Sequence, residues 1–234
     1  LYGAFRVLDT YRQERNALEL DMPERKVEIG EDGKIASIVP RQRLDSHKLI
    51  EEFMITANVA AAQSLEKNKQ PCMYRIHDRP SPEKLDAFTE FLETLDYTFS
   101  KGQVIKPIQF NQILRKAANT LNAHMINQMV LRSQAQAEYS PGNIGHFGLA
   151  LSRYCHFTSP IRRYSDLLVH RALINAHKLG NDGLQSDGDE FEELGTHLCS
   201  TERRASAAER DAMDRYVAGH LSTRIGSIFA ARIN

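Results

Sequence analysis

The sequence predicts an α+β fold that is predominantly helical, with a short strand and hairpin region. Three observations carry this. Apolar residues recur at helical spacing over most of the chain, and strict alternation is confined to residues 26–40 and 146–151. The 234 residues are 41% hydrophobic and 26% charged, a globular mix able to bury a sizeable core. In chain order, "GAFRVLDTYRQER" (3–15) has helical spacing, and "KVEIGEDGKIASIVP" (26–40) alternates around Gly30-Glu31-Asp32-Gly33 as a hairpin does. Asp45 and Ser46 offer N-caps to a helix running to about Lys67, with Leu49, Phe53, Ala57, Ala60 and Ala61 as its buried face. Another helix starts at Ser81-Pro82 and aligns Leu85, Phe88 and Leu92, and residues 107–138 read as two further helical pieces. "PGNIG" (141–145) breaks the pattern, and "HFGLAL" (146–151) reads as a short strand with Phe147, Leu149 and Leu151 on one face. Ser159 and Pro160 then start a helix to about Lys178, and a very long helix spans about 188–222. No internal repeat is present.

Thirty basic and thirty acidic side chains balance, so no overall positive field announces a nucleic-acid binder and any anion site must be local. Cys72, Cys155 and Cys199 are far apart and in no CxxC spacing, which excludes a disulfide framework or thiolate zinc site and points to a reducing compartment, the cytoplasm. No apolar run approaches the ~20 residues of a membrane span. Residue 1 is a Leu inside an ongoing helical pattern, so the chain reads as an excised piece.

The chemistry concentrates in "CHFTSPIRRYSDLLVHRAL" (155–173). Arg162 and Arg163 fall in the expected first helical turn, where the helix dipole favours acids, so something anionic should offset them. Two readings stand: the forked guanidinium groups and free backbone donors take a phosphate, or one arginine bridges to Asp166 and the other lies on the surface. His170 follows Asp166 by one helical turn, which allows an Asp–His contact. Tyr154 and His156 can stack on a base or close the loop.

Residues 146–170, "HFGLALSRYCHFTSPIRRYSDLLVH", resemble the signature of the RNB family of hydrolytic exoribonucleases almost position by position. His146-Phe147-Gly148-Leu149, Tyr154, Phe157 to Tyr164, Asp166 and His170 fall in register, with Cys155 in place of a small or aliphatic residue. "HKLIEEFMITANVAAA" (47–62), "YRIHDRPSPEKL" (74–85) and "ERRASAAERDAMDRY" (202–216) resemble the ribonuclease R branch of that family.

The resemblance implies the C-terminal part of an RNB catalytic domain over residues 1–222 and the first strand of a truncated OB-fold RNA-binding domain over 223–234. It implies 3′-to-5′ hydrolysis of single-stranded RNA from its 3′ end, assisted by magnesium, with release of nucleoside 5′-monophosphates. Arg162 matches the arginine that stabilises transition-state charge, and Arg163 is a phosphate-side neighbour. Glu51 and Glu52 match carboxylate positions at the RNA end, and Glu209 matches a glutamate near the terminal nucleotide. Tyr154 and His156 belong to the RNA contact. Ser159, Pro160, Tyr164, Asp166 and His170 brace the site. Leu20 stands where the family can have a base-stacking aromatic. The family's magnesium ligands are a cluster of aspartates upstream of everything present here, so no metal ligand is expected in this chain. The acids at Asp182, Asp187, Asp189, Glu190, Glu192 and Glu193 open the last helix, where they complement its dipole. A catalytically inactive RNB relative that only binds RNA is the alternative.

Overall fold

The structure, a computed structural model, describes all residues except 23, 24, 32, 34, 101, 103, 186, 187 and 229–234. The last of these contain most of the expected OB-fold strand, which therefore lies outside the described residues. Chain order is α1 (Tyr2–Glu14), β1 (Arg25–Ile29), β2 (Ile35–Pro40), α2 (Asp45–Lys67), β3 (Tyr74–His77), α3 (Pro82–Glu93), α4 (Pro107–Ala117), α5 (Ala123–Ser133), β4 (Ala137–Ser140), α6 (Tyr164–His177) and α7 (Phe191–Ser222). The strands form two antiparallel pairs, β1 with β2 and β3 with β4.

Three apolar clusters hold these elements. Ser81 caps α3 by accepting the Lys84 N–H, Pro82 follows at the first helical position, and Leu85, Phe88 and Leu92 turn inward. Phe88 meets Phe99 and Phe110 with ring centroids 5.1 and 5.6 Å away, the aromatic centre of the α3–α4–α5 cluster. A second cluster joins Ala61, Ala62 and Leu65 of α2 to Val169 and Ala172 of α6, and a third joins Leu168 of α6 to Tyr139 of β4 and Phe191 and Cys199 of α7. Cys72, Cys155 and Cys199 are buried free thiols.

Four expectations change. Leu44 is the N-cap of α2, so Asp45 and Ser46 are already helical. The buried face of α2 carries Leu49, Glu52, Ile55, Asn58, Ala61, Ala62 and Leu65, while Phe53 and Ala57 are half-buried and Ala60 is exposed. That face is rotated toward two polar residues because both find partners inside. The end of the 107–138 stretch leaves the helix and enters β4 at Ala137. Residues 146–151 are a tight turn rather than a strand: the N–H groups of His146 and Leu151 each donate to the other's carbonyl, at 2.8 and 3.2 Å. Gly145, at φ +81°, and Ala150, at φ +51°, set its reversal, and Phe147 leaves it to pack against the α3–α5 cluster.

The start of α6 also moves. The Ser159 carbonyl accepts the N–H groups of Arg162 and Arg163, closing a turn ahead of the helix, and Arg163 is extended at the N-cap. Ser159 and Pro160 thus lead the turn, and the helix itself begins at Tyr164. The cause is Asp166, whose buried carboxylate takes the Ser159 N–H at 2.8 Å and ties the chain back before helical geometry begins.

Candidate functional site

A groove of about 390 Å³ lies between α2 and the loop that enters α6. Glu51, Met54 and Asn58 stand on the α2 side and Tyr154 and Arg163 on the other, with Arg41 and His47 at the rim. It continues past Glu51 into wider spaces of about 570 and 840 Å³ bordered by Leu20, Asp21 and Arg43, and Glu51 lines all three. Here Leu20 occupies the groove wall with an aliphatic side chain.

The two glutamates differ. Glu52 is 3% exposed and accepts from Arg12 Nη1 at 2.7 Å, with Arg15 Nη2 at 3.9 Å. Glu51 faces the groove and is held by Arg12 at 3.3 Å and by Arg43. A buried carboxylate is costly unless it is paired, and Arg12 of α1 and Arg15 at its C-cap supply that pairing for Glu52.

The loop is pinned along its length. Tyr154 Oη accepts from Asn58 Nδ2 and Asn58 Oδ1 accepts the Phe157 N–H, both at 2.9 Å. Tyr139 Oη and His156 Nδ1 share a hydrogen bond of 2.9 Å. Burial, with the positive charges of Arg163 and Arg75 nearby, pulls the His156 imidazole down to about 3, so it is neutral at physiological pH. His170 Nε2–H donates to the Phe157 carbonyl at 2.9 Å, and its ring stacks on Phe157 at 4.3 Å.

Asp166 is fully buried and takes the Ser159 N–H, Arg163 Nη2 at 2.8 Å and Ser165 Oγ at 3.1 Å. The expected Asp166–His170 contact is absent because each has a nearer partner in the loop. Of the two arginine readings, the structure shows the ion pair for Arg163, whose Nε remains buried without a partner. Arg162 is exposed, with no ion pair to any described residue. Pro160 and Tyr164 are exposed beside it and Ser159 is half-buried. The fold thus brings Glu51, Tyr154 and Arg163 to one groove. Glu209 stands exposed on α7 and is not among the groove's lining residues.

Sequence reasoning missed Asn58, Arg12 and Arg43. The only signal was that Asn58 falls in step with Ile55, Ala61 and Ala62, a polar residue on an apolar face.

The family model of the RNB domain matches residues 1–178. This chain belongs to the RNB family. Within that family, Ribonuclease R of Escherichia coli K12 is 39% identical over 243 residues, which cover all of this chain and 30% of that protein. Ribonuclease R of Aquifex aeolicus is 39% identical over 225 residues, covering 96% and 32%. The solved structure of Mycoplasma genitalium RNase R in complex with ribose methylated single-stranded RNA matches with a TM-score of 0.86 at 28% identity, covering 95% of this chain and 36% of that one. The chain therefore spans about a third of the length of these relatives. Both groove walls lie inside the span matched to the RNB domain, and α7 with Glu209 lies beyond it.

Among the described residues, no helix is long and apolar enough to cross a membrane, and no three His, Cys, Asp or Glu side chains form a group able to hold a metal ion.

Proposed function

We propose that this chain supplies the RNA-end groove of a 3′-to-5′ hydrolytic exoribonuclease that releases nucleoside 5′-monophosphates from single-stranded RNA in the cytoplasm. One observation carries the reading: Arg163 lines a groove with Glu51 and Tyr154, and its neighbour in the chain, Arg162, is exposed with no acidic partner among the described residues. An unpaired guanidinium can meet the charge that develops on a phosphate under attack, whereas one spent on a carboxylate cannot.

In this reading Arg162 stabilises the transition state and Arg163, fixed by Asp166, presents its remaining donor toward the phosphate side. Glu51 accepts from the terminal nucleotide, and Glu52 holds the arginines behind it. Tyr154 and His156 flank the RNA, and Glu209 belongs near its end. Ser159, Pro160, Tyr164, Asp166 and His170 shape the turn. Residues 1–222 form the RNB part and 223–234 the start of the OB-fold.

Magnesium is the ion that the resemblance implies, and its chemistry is activation of water and neutralisation of phosphate charge. The acids of this groove do not fit it. Glu52 is buried against Arg12 and Arg15, and Glu51 is held by Arg12 and Arg43, so among the described residues these two glutamates do not form a free carboxylate pair.

The test is Arg162→Lys in the complete enzyme. Turnover should fall by well over roughly tenfold while the dissociation constant for single-stranded RNA stays within about threefold, since a transition-state contact affects rate more than affinity. Unchanged turnover would overturn the role of Arg162. A wild-type protein that binds RNA and releases no nucleotide would identify a binding module instead.

A further inference from the structure

Asn58 is 2% exposed in the middle of α2, and both polar atoms of its side chain bond the loop that enters α6. Its Nδ2 donates to Tyr154 Oη at 2.9 Å, its Oδ1 accepts the Phe157 N–H at 2.9 Å, and its backbone carbonyl accepts from Cys155 Sγ at 3.3 Å. Among the described residues, no other residue of α2 hydrogen-bonds residues 154–163. The same helix carries Glu51 on the groove wall, and the same loop carries Tyr154 and Arg163 on the opposite wall.

We infer that Asn58 is a positioning residue that sets the distance between the glutamate wall and the arginine turn, an inference that rests on the exoribonuclease reading. The physical case is that a carboxamide, with an NH2 that donates and a carbonyl that accepts in one fixed plane, joins a helix to two points of a loop at once. Beyond Phe157 the turn is held by Ser159 to Asp166 and by Phe157 to His170, both of which move with α6. Ser64 of α2 and His177 share a hydrogen bond of 2.7 Å at the far end of α6, whereas Asn58 is the residue of α2 that bonds the loop itself, and small misplacement of a charge-stabilising group is costly in rate.

The experiment uses the complete enzyme with Asn58→Leu, branched at the same atom but larger and without hydrogen-bonding groups, and Asn58→Asp. The aspartate can still accept the Phe157 N–H and can accept the Tyr154 hydroxyl proton, so it retains both links. In Asn58→Leu, kcat should fall by roughly tenfold or more with KM within about threefold, and Asn58→Asp should return kcat to within about threefold of wild type. Amide hydrogen exchange in residues 157–163 should quicken by about tenfold or more in Asn58→Leu, with the α3–α5 helices unchanged. A folded Asn58→Leu enzyme with wild-type kcat and wild-type exchange overturns the inference, as does Asn58→Asp behaving like Asn58→Leu. If Asn58→Leu does not fold, Tyr154→Phe decides by exchange: faster exchange at 157–163 supports the link, and unchanged exchange overturns it. A wild-type enzyme that releases no nucleotide defeats the exoribonuclease reading instead, and the exchange measurements then decide the positioning role alone.

Discussion

Beside Tyr154, a chain of neighbouring histidines is tuned by what surrounds it. His146 is drawn down to about 3 by burial and by the neighbouring His77, Arg75 and His156, and His156 is drawn to about 3 by burial, Arg163, Arg75 and Arg162 against the pull of Asp166. His77 is lowered as well, chiefly by burial, and its neutral ring bridges Gly148 N–H at Nδ1 and the Ala135 carbonyl at Nε2. Above pH 6.5 folded and unfolded chains alike hold neutral histidines and no penalty arises. As pH falls from about 6.5 toward about 3, the unfolded chain takes up protons that the folded one refuses, so stability drops by up to about 1.4 kcal/mol per pH unit for each histidine. Urea unfolding at pH 7.5 and pH 5 should therefore show a smaller loss in His146→Asn and His156→Asn than in wild type, since Asn imitates the Nδ1 contact without titrating. Equal losses would contradict the assignment.

Among the elements, α7 depends on a close crossing. Its Gly195 passes the β4 backbone so tightly that a Cβ there would lie 2.6 Å from the Tyr139 carbonyl oxygen. On the same helix, a Cβ at Gly219 would meet nothing within 4 Å. Helix propensity favours Ala over Gly by about 1 kcal/mol at either place. Thermal unfolding should thus show Gly219→Ala neutral to stabilising by up to about 1 kcal/mol and Gly195→Ala destabilising, because the backbone contact outweighs propensity. A stabilised Gly195→Ala protein would mean that α7 can lift from β4 freely. The start of α6 follows the same logic: the Asp166 anchor overrides the Ser-Pro capping signal and leaves Arg162 in a turn, where its side chain is exposed.

At the scale of the whole molecule, the α2–α6 cluster joins the helix of one groove wall to the helix that follows the other, and Leu20, which packs against the cluster around Phe110, borders the wider space beyond Glu51. The two glutamates beside the groove, Glu51 and Glu52, are already matched to arginines, and no three His, Cys, Asp or Glu side chains among the described residues form a group able to hold a metal ion. Residues 1–234 alone should accordingly release no nucleotide from single-stranded RNA in the presence of magnesium, measured by chromatography of soluble products. Clear processive degradation by this chain would show that it assembles its own metal site and would refute the donor-set argument.

What the sequence determined by itself is local or densely encoded: the Ser81-Pro82 helix start, the inward Leu85, Phe88 and Leu92, the hairpin of residues 26–40, and the long run from His146 to His170 that carried the family. Capping, periodicity and a contiguous motif need no distant partner to be read. Tertiary structure alone decided that Glu52 and Asn58 point inward, that residues 146–151 close into a turn and that Arg163 rather than Arg162 takes Asp166. The first of these rests on partners far along the chain: Arg12 lies 40 residues from Glu52, and Tyr154 lies 96 residues from Asn58. A buried polar side chain is stable only once such partners arrive, so its direction is fixed by the packed molecule and not by the spacing around it.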